Sequence, residues 1–272
     1  MNIVYTFKNN QGIGDNLRGL IAVLQVVKKI ETQKEIQFHV DFSESHINKF
    51  LLHKLPDNLL QLKQSGEQCE TKSFYCRDDP NDKGCQDDII NYLLNSQSTM
   101  ICINSNFFPE IDDINEEIKT FIKNLFKFNE DFENVFNSYS NQIPKDYILY
   151  HYRFGDFMFH NDDNSNFDHF IQSYSELSKQ NENYAALILS DSLNFKKKIY
   201  EIYNNLDTIV FLNRPTHTAY TNDIDDINIF IDFFLVTKAK SIYCYSYYPW
   251  VSNFVLWSSY IYDIPLTNKK EN

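Results

Sequence analysis

The segment His151-Tyr152-Arg153-Phe154-Gly155-Asp156 ends an apolar run, Tyr147 to Tyr152, with an imidazole, a guanidinium and a carboxylate. Positions 151 and 153 are two apart, so on an extended chain His151 and Arg153 point the same way. A guanidinium at a strand end can grip a diphosphate through two parallel charge-assisted hydrogen bonds, which a lysine does not reproduce. Asp156 would orient that guanidinium or cap the next segment. The same residue types also make an ordinary salt bridge at a strand terminus, so the segment alone leaves both readings open.

Three further constellations stand at similar places. Ser190-Asp191-Ser192-Leu193-Asn194 follows the apolar run Ala185 to Leu189. A carboxylate there can accept hydrogen bonds from a nucleotide's ring or sugar; Ser or Asp there also makes a good helix N-cap. Gly12-Ile13-Gly14-Asp15-Asn16-Leu17-Arg18-Gly19 lies between a strand and a helix, where glycines admit a ligand to the backbone and a helix N-terminus attracts anions. It is not a P-loop, because no Gly-Lys-Ser/Thr follows, and a dinucleotide fingerprint would need a glycine where Leu17 stands. A plain tight turn explains the same residues. The late run from Asp232 to Phe254 places Ser246 at a strand tip before a new helix, where hydroxyls and N–H groups could close on phosphate oxygens. Core aromatic packing with incidental serines is the alternative there.

The elements that would carry these residues follow from periodicity. Asn2 to Phe7 reads as a strand, Asn16 to Ile30 as a helix with one apolar face, and Glu35 to Val40 as a second strand. That order is a parallel α/β unit. Ser98 to Ile103 is a further strand, and Glu116 to Phe136 a helical stretch. The polar residues 64–88 read as a long surface insertion. A turn at Gln142 to Asp146 sets the expected domain boundary, giving residues 1–144 and 145–272. In the second half, strands are expected at Tyr147–Tyr152, Ala185–Leu189, Thr208–Leu212 and Ser241–Tyr245. Helices are expected at Phe167–Gln180, Asn194–Tyr203, Asp225–Lys238 and Val251–Tyr260. The expected fold class is therefore α/β.

Composition narrows the function classes. The 272 residues include 25 Lys+Arg against 37 Asp+Glu, a formal charge of −12. No global field favours a nucleic-acid backbone, so any phosphate must be held by a few placed donors, and nucleic acid is not an expected partner. Aromatics are 16%, with 23 Phe and 18 Tyr, whereas Gly (6) and Pro (7) are too scarce for a collagenous or Gly/Pro-rich disordered chain. The five cysteines, Cys69, Cys76, Cys85, Cys102 and Cys244, form no CxxC. The first three cluster among acids without a histidine; free thiols or one surface disulfide are expected in preference to zinc. The longest charge-free stretch, Ser241 to Tyr262, has the length of a membrane span. It contains Pro249 and many polar groups, and reads as strand, turn and helix. No secretory leader is read in Met1 to Gln11 and no Asn-x-Ser/Thr acceptor occurs, so a cytoplasmic protein is expected.

The four constellations in this order, GIGDNLRGL, HYRFGD, LILSDS and DFFLVTKAKSIYCYSYYPWVSNF, resemble the fucosyltransferase superfamily that uses GDP-fucose, which includes the α1,2-, α1,6- and protein O-fucosyltransferases. The resemblance implies a GT-B architecture of two Rossmann-like domains facing a central cleft, with the acceptor side N-terminal. It implies inverting, metal-independent transfer of a sugar, most simply L-fucose, from a GDP-sugar to a glycan or protein hydroxyl. No cofactor is implied beyond that co-substrate. Arg153 would match the arginine that binds the donor diphosphate, with His151 beside it. Asp191 or Ser192 would contact the guanosine, Ser246 a phosphate, and Gly12 and Gly14 would line the cleft. Asp156 and Asp232 would support the site. Some members use a carboxylate shortly after the arginine motif as general base; Asp162 and Asp163 stand there, in a stretch that a solvated loop also explains. Where many members carry a second arginine this chain has Phe154, and where they carry a second aspartate it has Ser192. Those departures keep open a GDP-sugar- or glycan-binding module with little or no turnover.

Overall fold

The strand Asn2–Thr6 (β1) buries all but its first residue, because helices cover both faces of a central parallel strand. The computed structural model describes residues 1–66, 69–75, 84–159, 167–203, 207–215, 217 and 226–269. The chain divides into two compact units, Met1–Asn129 and Glu130–Asn272.

In the first unit β1 leads into helix α1 (Ile13–Ile30) and strand β2 (Gln37–Asp41). Then come α2 (Asp57–Ser65), β3 (Cys69–Phe74), α3 (Gly84–Asn95), β4 (Met100–Ser105) and α4 (Glu116–Leu125). The four strands are all parallel, in the order β2-β1-β4-β3. The stretch expected to be a surface insertion thus contributes β3 and the start of α3. Its polarity has a simple cause: β3 is the edge strand, with Glu70 to Ser73 exposed. The single helix expected over 116–136 is broken. Residues 126–129 turn aside to pair with the chain at 50–52, through Leu52 N–H to the Lys127 carbonyl (2.8 Å) and Asn129 N–H to the Phe50 carbonyl (2.8 Å).

Helix α1 starts at Ile13, earlier than its apolar periodicity indicates, so Gly12 is its N-cap and Gly14 lies buried in its first turn. Gly19 makes this docking possible. A Cβ there would fall 1.7 Å from the Ser105 carbonyl oxygen and 2.5 Å from the Tyr5 hydroxyl. That hydroxyl lies 2.9 Å from the carbonyl oxygens of both Asn16 and Ser105, its one proton shared between them, and so ties the helix to the ends of β1 and β4.

The second unit opens with α5 (Glu130–Ser140), whose Phe132 ring packs edge-on to Phe234, 6.1 Å away. The unit therefore begins one helix before the expected turn at 144. There follow β5 (Tyr147–Arg153), a 3-10 turn (Asp156–Phe159), α6 (Asp168–Gln180), β6 (Ala185–Ser190), α7 (Leu193–Tyr203), β7 (Thr208–Val210), α8 (Asp226–Val236), β8 (Ser241–Ser246), α9 (Asn253–Tyr262) and β9 (Leu266–Lys269). All five strands are parallel, in the order β7-β6-β5-β8-β9. The chain winds from β5 through β6 to β7, then returns to lay β8 on the other side of β5. The direction of winding reverses between β5 and β8, and the carboxyl ends of strands at such a reversal are where open α/β sheets hold ligands.

The aromatic richness of the sequence is spent here. Alternate residues Tyr150, Tyr152 and Phe154 pack with Phe167, Tyr174, Phe195 and Tyr245 in one buried cluster. Tyr152 stacks on Tyr245 at 4.8 Å and lies 4.6 Å from Phe195. Among the described residues no helix is long and apolar enough to cross a membrane.

Because the Ser105 carbonyl is main chain and cannot swing aside, Gly19→Ala should lower the unfolding free energy by about 3 kcal/mol or more. Urea denaturation of the purified variant measures this; stability within about 1 kcal/mol of the parent would contradict the close approach.

Candidate functional site

The last residue of β5 is Arg153, and its register partner on β8 is Ser246, so the winding reversal places these two side by side. The N–H of Tyr247 donates to the Arg153 carbonyl at 2.8 Å, extending the pairing past the strand ends. Ser246 Oγ accepts from the Tyr248 N–H at 3.3 Å. Asp191 follows β6 on the other flank of β5.

Asp191 organises this end of the sheet. Its Oδ1 accepts from the Phe154 N–H (2.8 Å) and its Oδ2 from the Gly155 N–H (2.9 Å) and from Arg153 Nη1 (2.5 Å). The carboxylate is only 5% exposed. Burial raises its pKa, against the pull of the guanidinium and the two N–H groups. Three N–H donors face it, and the ionised form is the one they hold. The turn that delivers those N–H groups needs glycine. Gly155 has φ +123°, and a Cβ there would lie 2.8 Å from the Phe157 ring.

Asp156 grips the other side of the guanidinium, through Nη2. It is 55% exposed, whereas the arginine is 16% exposed. Burial works against the Arg153 charge, and the two carboxylates outweigh it, so its pKa is raised further. Phe154, where the resemblance leads one to look for a second arginine, turns into the aromatic cluster, 4.8 Å from Phe170 and 5.0 Å from Phe167. This strand end therefore carries one guanidinium.

His151 lies on the opposite face of β5 from the aromatic cluster, its ring stacked on Phe254 of α9 at 5.6 Å. It is buried, and among the described residues neither ring nitrogen has a hydrogen-bond partner. Burial, with Arg153 adding repulsion, lowers its pKa to about 3, so the ring is neutral. Ser192 is fully buried and accepts from the Phe195 N–H at 3.0 Å, capping α7. Helix α9 starts beyond Ser246, and the side chain of its N-cap residue Ser252 makes no cap hydrogen bond. Asp232 sits on α8 with Oδ1 buried and, among the described residues, without a hydrogen-bond partner. The charge facing it is Lys196, a buried ammonium from the first turn of α7 that donates to the Asn213 carbonyl at 2.9 Å. Burial raises the Asp232 pKa and lowers that of Lys196, each opposed by the other's charge.

The structure thus brings Arg153, Asp156, Asp191 and Ser246 together, with His151 two residues back on the strand. Gly12 and Gly14 belong to the first unit, where Asn16 laces their loop: its Oδ1 accepts from the Lys8 N–H (3.0 Å) and its Nδ2 donates to the Lys8 carbonyl (2.9 Å). Asp162 and Asp163 lie outside the described residues. Sequence reasoning passed over Lys196, hidden in the run Lys196-Lys197-Lys198 that looks like an ordinary solvated helix face. It also gave no role to Asn104, which donates to the Thr6 carbonyl and accepts from the Tyr75 hydroxyl, both at 2.9 Å. Cys69 Sγ lies 3.7 Å from Cys102 Sγ, both as thiols.

Solved structures with this architecture exist. A mutant of Arabidopsis thaliana FUT1 in complex with GDP superposes with a TM-score of 0.60 at 12% identity, covering 100% of this chain and 70% of that one. The fold is fucosyltransferase-like. NodZ, the fucosyltransferase from Bradyrhizobium, gives 0.58 at 11% identity over 94% and 91% of the two chains. POFUT1 in complex with GDP-fucose gives 0.53 at 9% over 99% and 97%. No protein-family model matches the sequence. No curated protein matches it either.

Stability in urea and its dependence on pH both test this geometry. Asp191→Ala strands a buried guanidinium and two N–H groups and should cost about 3–5 kcal/mol in urea unfolding. Asp156→Ala removes an exposed partner and should cost less than about 1 kcal/mol. The His151 pKa is lower folded (about 3) than unfolded (6.5), so only the unfolded chain binds its proton between those values. Stability is then lost as pH falls through that window, by about 1.4 kcal/mol per unit for this group. His151→Phe should flatten the profile of unfolding free energy between pH 4 and 6 by about that slope.

Proposed function

We propose that the protein is a GDP-sugar glycosyltransferase, with Arg153 as the residue that holds the donor diphosphate. The observation that carries this reading is the placement of one oriented guanidinium at the winding reversal of the second sheet, beside its register partner Ser246. Solved neighbours with the same fold contain GDP or GDP-fucose, which supports a guanosine diphosphate sugar as donor and fucose as the sugar.

In this reading an acceptor hydroxyl oxygen attacks the anomeric carbon from the face opposite the diphosphate. The new C–O bond forms as the bond to the diphosphate breaks, and the configuration inverts. The electron pair leaves with GDP, and the charge that develops is taken up by Arg153 and by N–H groups at the strand and helix ends. That arrangement makes no demand on a metal. The neutral ring of His151 can donate one N–H to a phosphate oxygen, which would give a buried, unpartnered imidazole its hydrogen bond. Ser246 Oγ serves as a second donor. Asp191 acts one step removed, as the residue that positions the guanidinium. The proton of the acceptor hydroxyl passes to Asp162 or Asp163 as general base.

Phe154 supports a second reading, a GDP-sugar- or glycan-binding module with little turnover. It is buried among aromatic rings, so the strand end has a single cation to stabilise the leaving group.

A nucleotide panel in a thermal-shift assay should show stabilisation by GDP over ADP and UDP. Arg153→Ala and Arg153→Lys should each lose donor turnover by roughly a hundredfold or more, about 3 kcal/mol of transition-state stabilisation, with the fold retained by circular dichroism. Chelation with EDTA should leave turnover unchanged. GDP binding without transfer or donor hydrolysis would decide for the binding module. Turnover by Arg153→Ala close to the parent would overturn the assignment of this residue.

A further inference from the structure

Exposed aromatic side chains are scattered singly on most proteins and then need no explanation. Here they converge. Among the described residues nine large hydrophobic side chains are exposed, and three of them, Phe157 (51%), Tyr247 (69%) and Trp250 (52%), lie in one chain of ring contacts. Tyr248 completes it. The Phe157 and Tyr247 rings are 6.0 Å apart, as are Tyr247 and Tyr248. Tyr248 and Trp250 stack nearly parallel, at 5.2 Å and 5°. A stacked indole and phenol with the indole half open to water form a flat platform that the protein's own core does not cover.

The platform is continuous with the Arg153 site. Tyr247 is bonded to the Arg153 carbonyl, and the Tyr248 hydroxyl accepts from the Asp156 N–H at 3.4 Å. Tyr248 also lies 3.5 Å from where a Cβ on Gly155 would stand. Both sides of the platform are thus fixed to the turn that carries the guanidinium.

We propose that Phe157, Tyr247, Tyr248 and Trp250 form an acceptor subsite on the second unit, where the resemblance alone implies an N-terminal acceptor side, and that the acceptor is a neutral glycan with a pyranose ring lying on Trp250. This rests on the reading of Arg153 as the diphosphate ligand. The chemistry selects the occupant. One face of a pyranose is a sheet of C–H bonds that suits an aromatic plane, and its rim of hydroxyls needs donors and acceptors at the edge of that plane. The rim here supplies them: the exposed Asp156 carboxylate, the Tyr hydroxyls and the indole N–H. An anionic occupant is disfavoured by Asp156 and by the overall charge of −12. A nucleobase needs hydrogen-bonding groups facing its edge from within a pocket, whereas this surface stands open to solvent.

The test is binding of the full chain to an array of neutral and sialylated oligosaccharides, alongside GDP titration of the same proteins. The parent should be retained by a set of glycans that share a neutral pyranose unit. Trp250→Ala should lose at least tenfold of that binding, and Trp250→Phe, which keeps a ring, should recover most of it. Equal thermal midpoints for the three proteins establish that the fold is intact. The chain has two tryptophans, and Trp257 is buried, so a blue shift of the exposed Trp250 emission reports the contact directly. GDP binding by the parent with no glycan retained overturns the platform and leaves the donor reading standing. Glycan retention lost in Trp250→Ala, with no GDP binding by the parent, supports the sugar site and overturns the donor reading. Loss of GDP binding in Trp250→Ala assigns the rings to the nucleobase and overturns the proposal, as does selective retention of sialylated glycans.

Discussion

A buried carboxylate that accepts from two successive main-chain N–H groups and a guanidinium holds the carboxyl end of the second sheet in one arrangement. Asp191 comes from the turn after β6, and everything it binds comes from the last residue of β5 and the turn that follows. The two strands are already hydrogen-bonded neighbours, so this is a lock placed where their ladder runs out. Without it the chain leaving β5 would be free to follow many paths. With it, the direction of Arg153, the left-handed turn at Gly155 and the position of Asp156 are all determined together. Ser192, next to Asp191, caps α7 and pins the turn from the other side. A single β-to-α connection thus serves the sheet, the helix and the arginine.

The strand that delivers Arg153 owes its rigidity to what lies on its two faces. On one, Tyr150, Tyr152 and Phe154 interleave with rings from α6, α7 and β8, and aromatic pairs of this kind favour defined edge-to-face and offset geometries. On the other, His151 rests against Phe254. Alternation along β5 therefore separates a packing face from a chemistry face, and Phe154 belongs to the first. Replacing it with a charged side chain would place a cation among five-ångström ring contacts, so this packing and a second arginine at position 154 exclude one another.

Much of this was legible beforehand, for physical reasons that differ by region. The second half reads clearly because buried parallel strands such as Ala185–Ser190 are continuous apolar runs, each followed by polar turn residues. HYRFGD stands out because charge abruptly ends such a run. The edge strand Cys69–Phe74 was opaque because an exposed edge imposes no apolar pattern, and its acidic and basic residues look like a loop. The break between α4 and α5 was opaque because its cause, pairing of residues 126–129 with 50–52, is distant in sequence. Asp191 shows a different limit. Its position after β6 could be read, but the sequence offers the carboxylate equally to a ligand or to the protein, and only the geometry reveals three N–H groups from the neighbouring turn already upon it. Gly19 is similar: its place in the loop-to-helix motif was visible, yet its reason, a carbonyl from β4 against the helix, needs the fold.

The electrostatics of Arg153 separate its two acids. One cation between two carboxylates makes a cluster of net charge −1, and at an effective dielectric of 20 a like charge 4 Å away costs about 4 kcal/mol. A diphosphate can therefore join the guanidinium only if one carboxylate yields. Asp191 cannot, since leaving would abandon two N–H groups and a cation in the interior. Among the described residues Asp156 holds the guanidinium alone, from the exposed side, and water can solvate it once it lets go. Its main chain is meanwhile tethered to the Tyr248 hydroxyl, so the exchange requires rotation of one short side chain and no backbone movement. In the proposed reading Asp156 is thus a removable second anion on a guanidinium that Asp191 already pairs. The guanidinium meets its ligand already aimed, because the carboxylate that aims it is not the one that leaves.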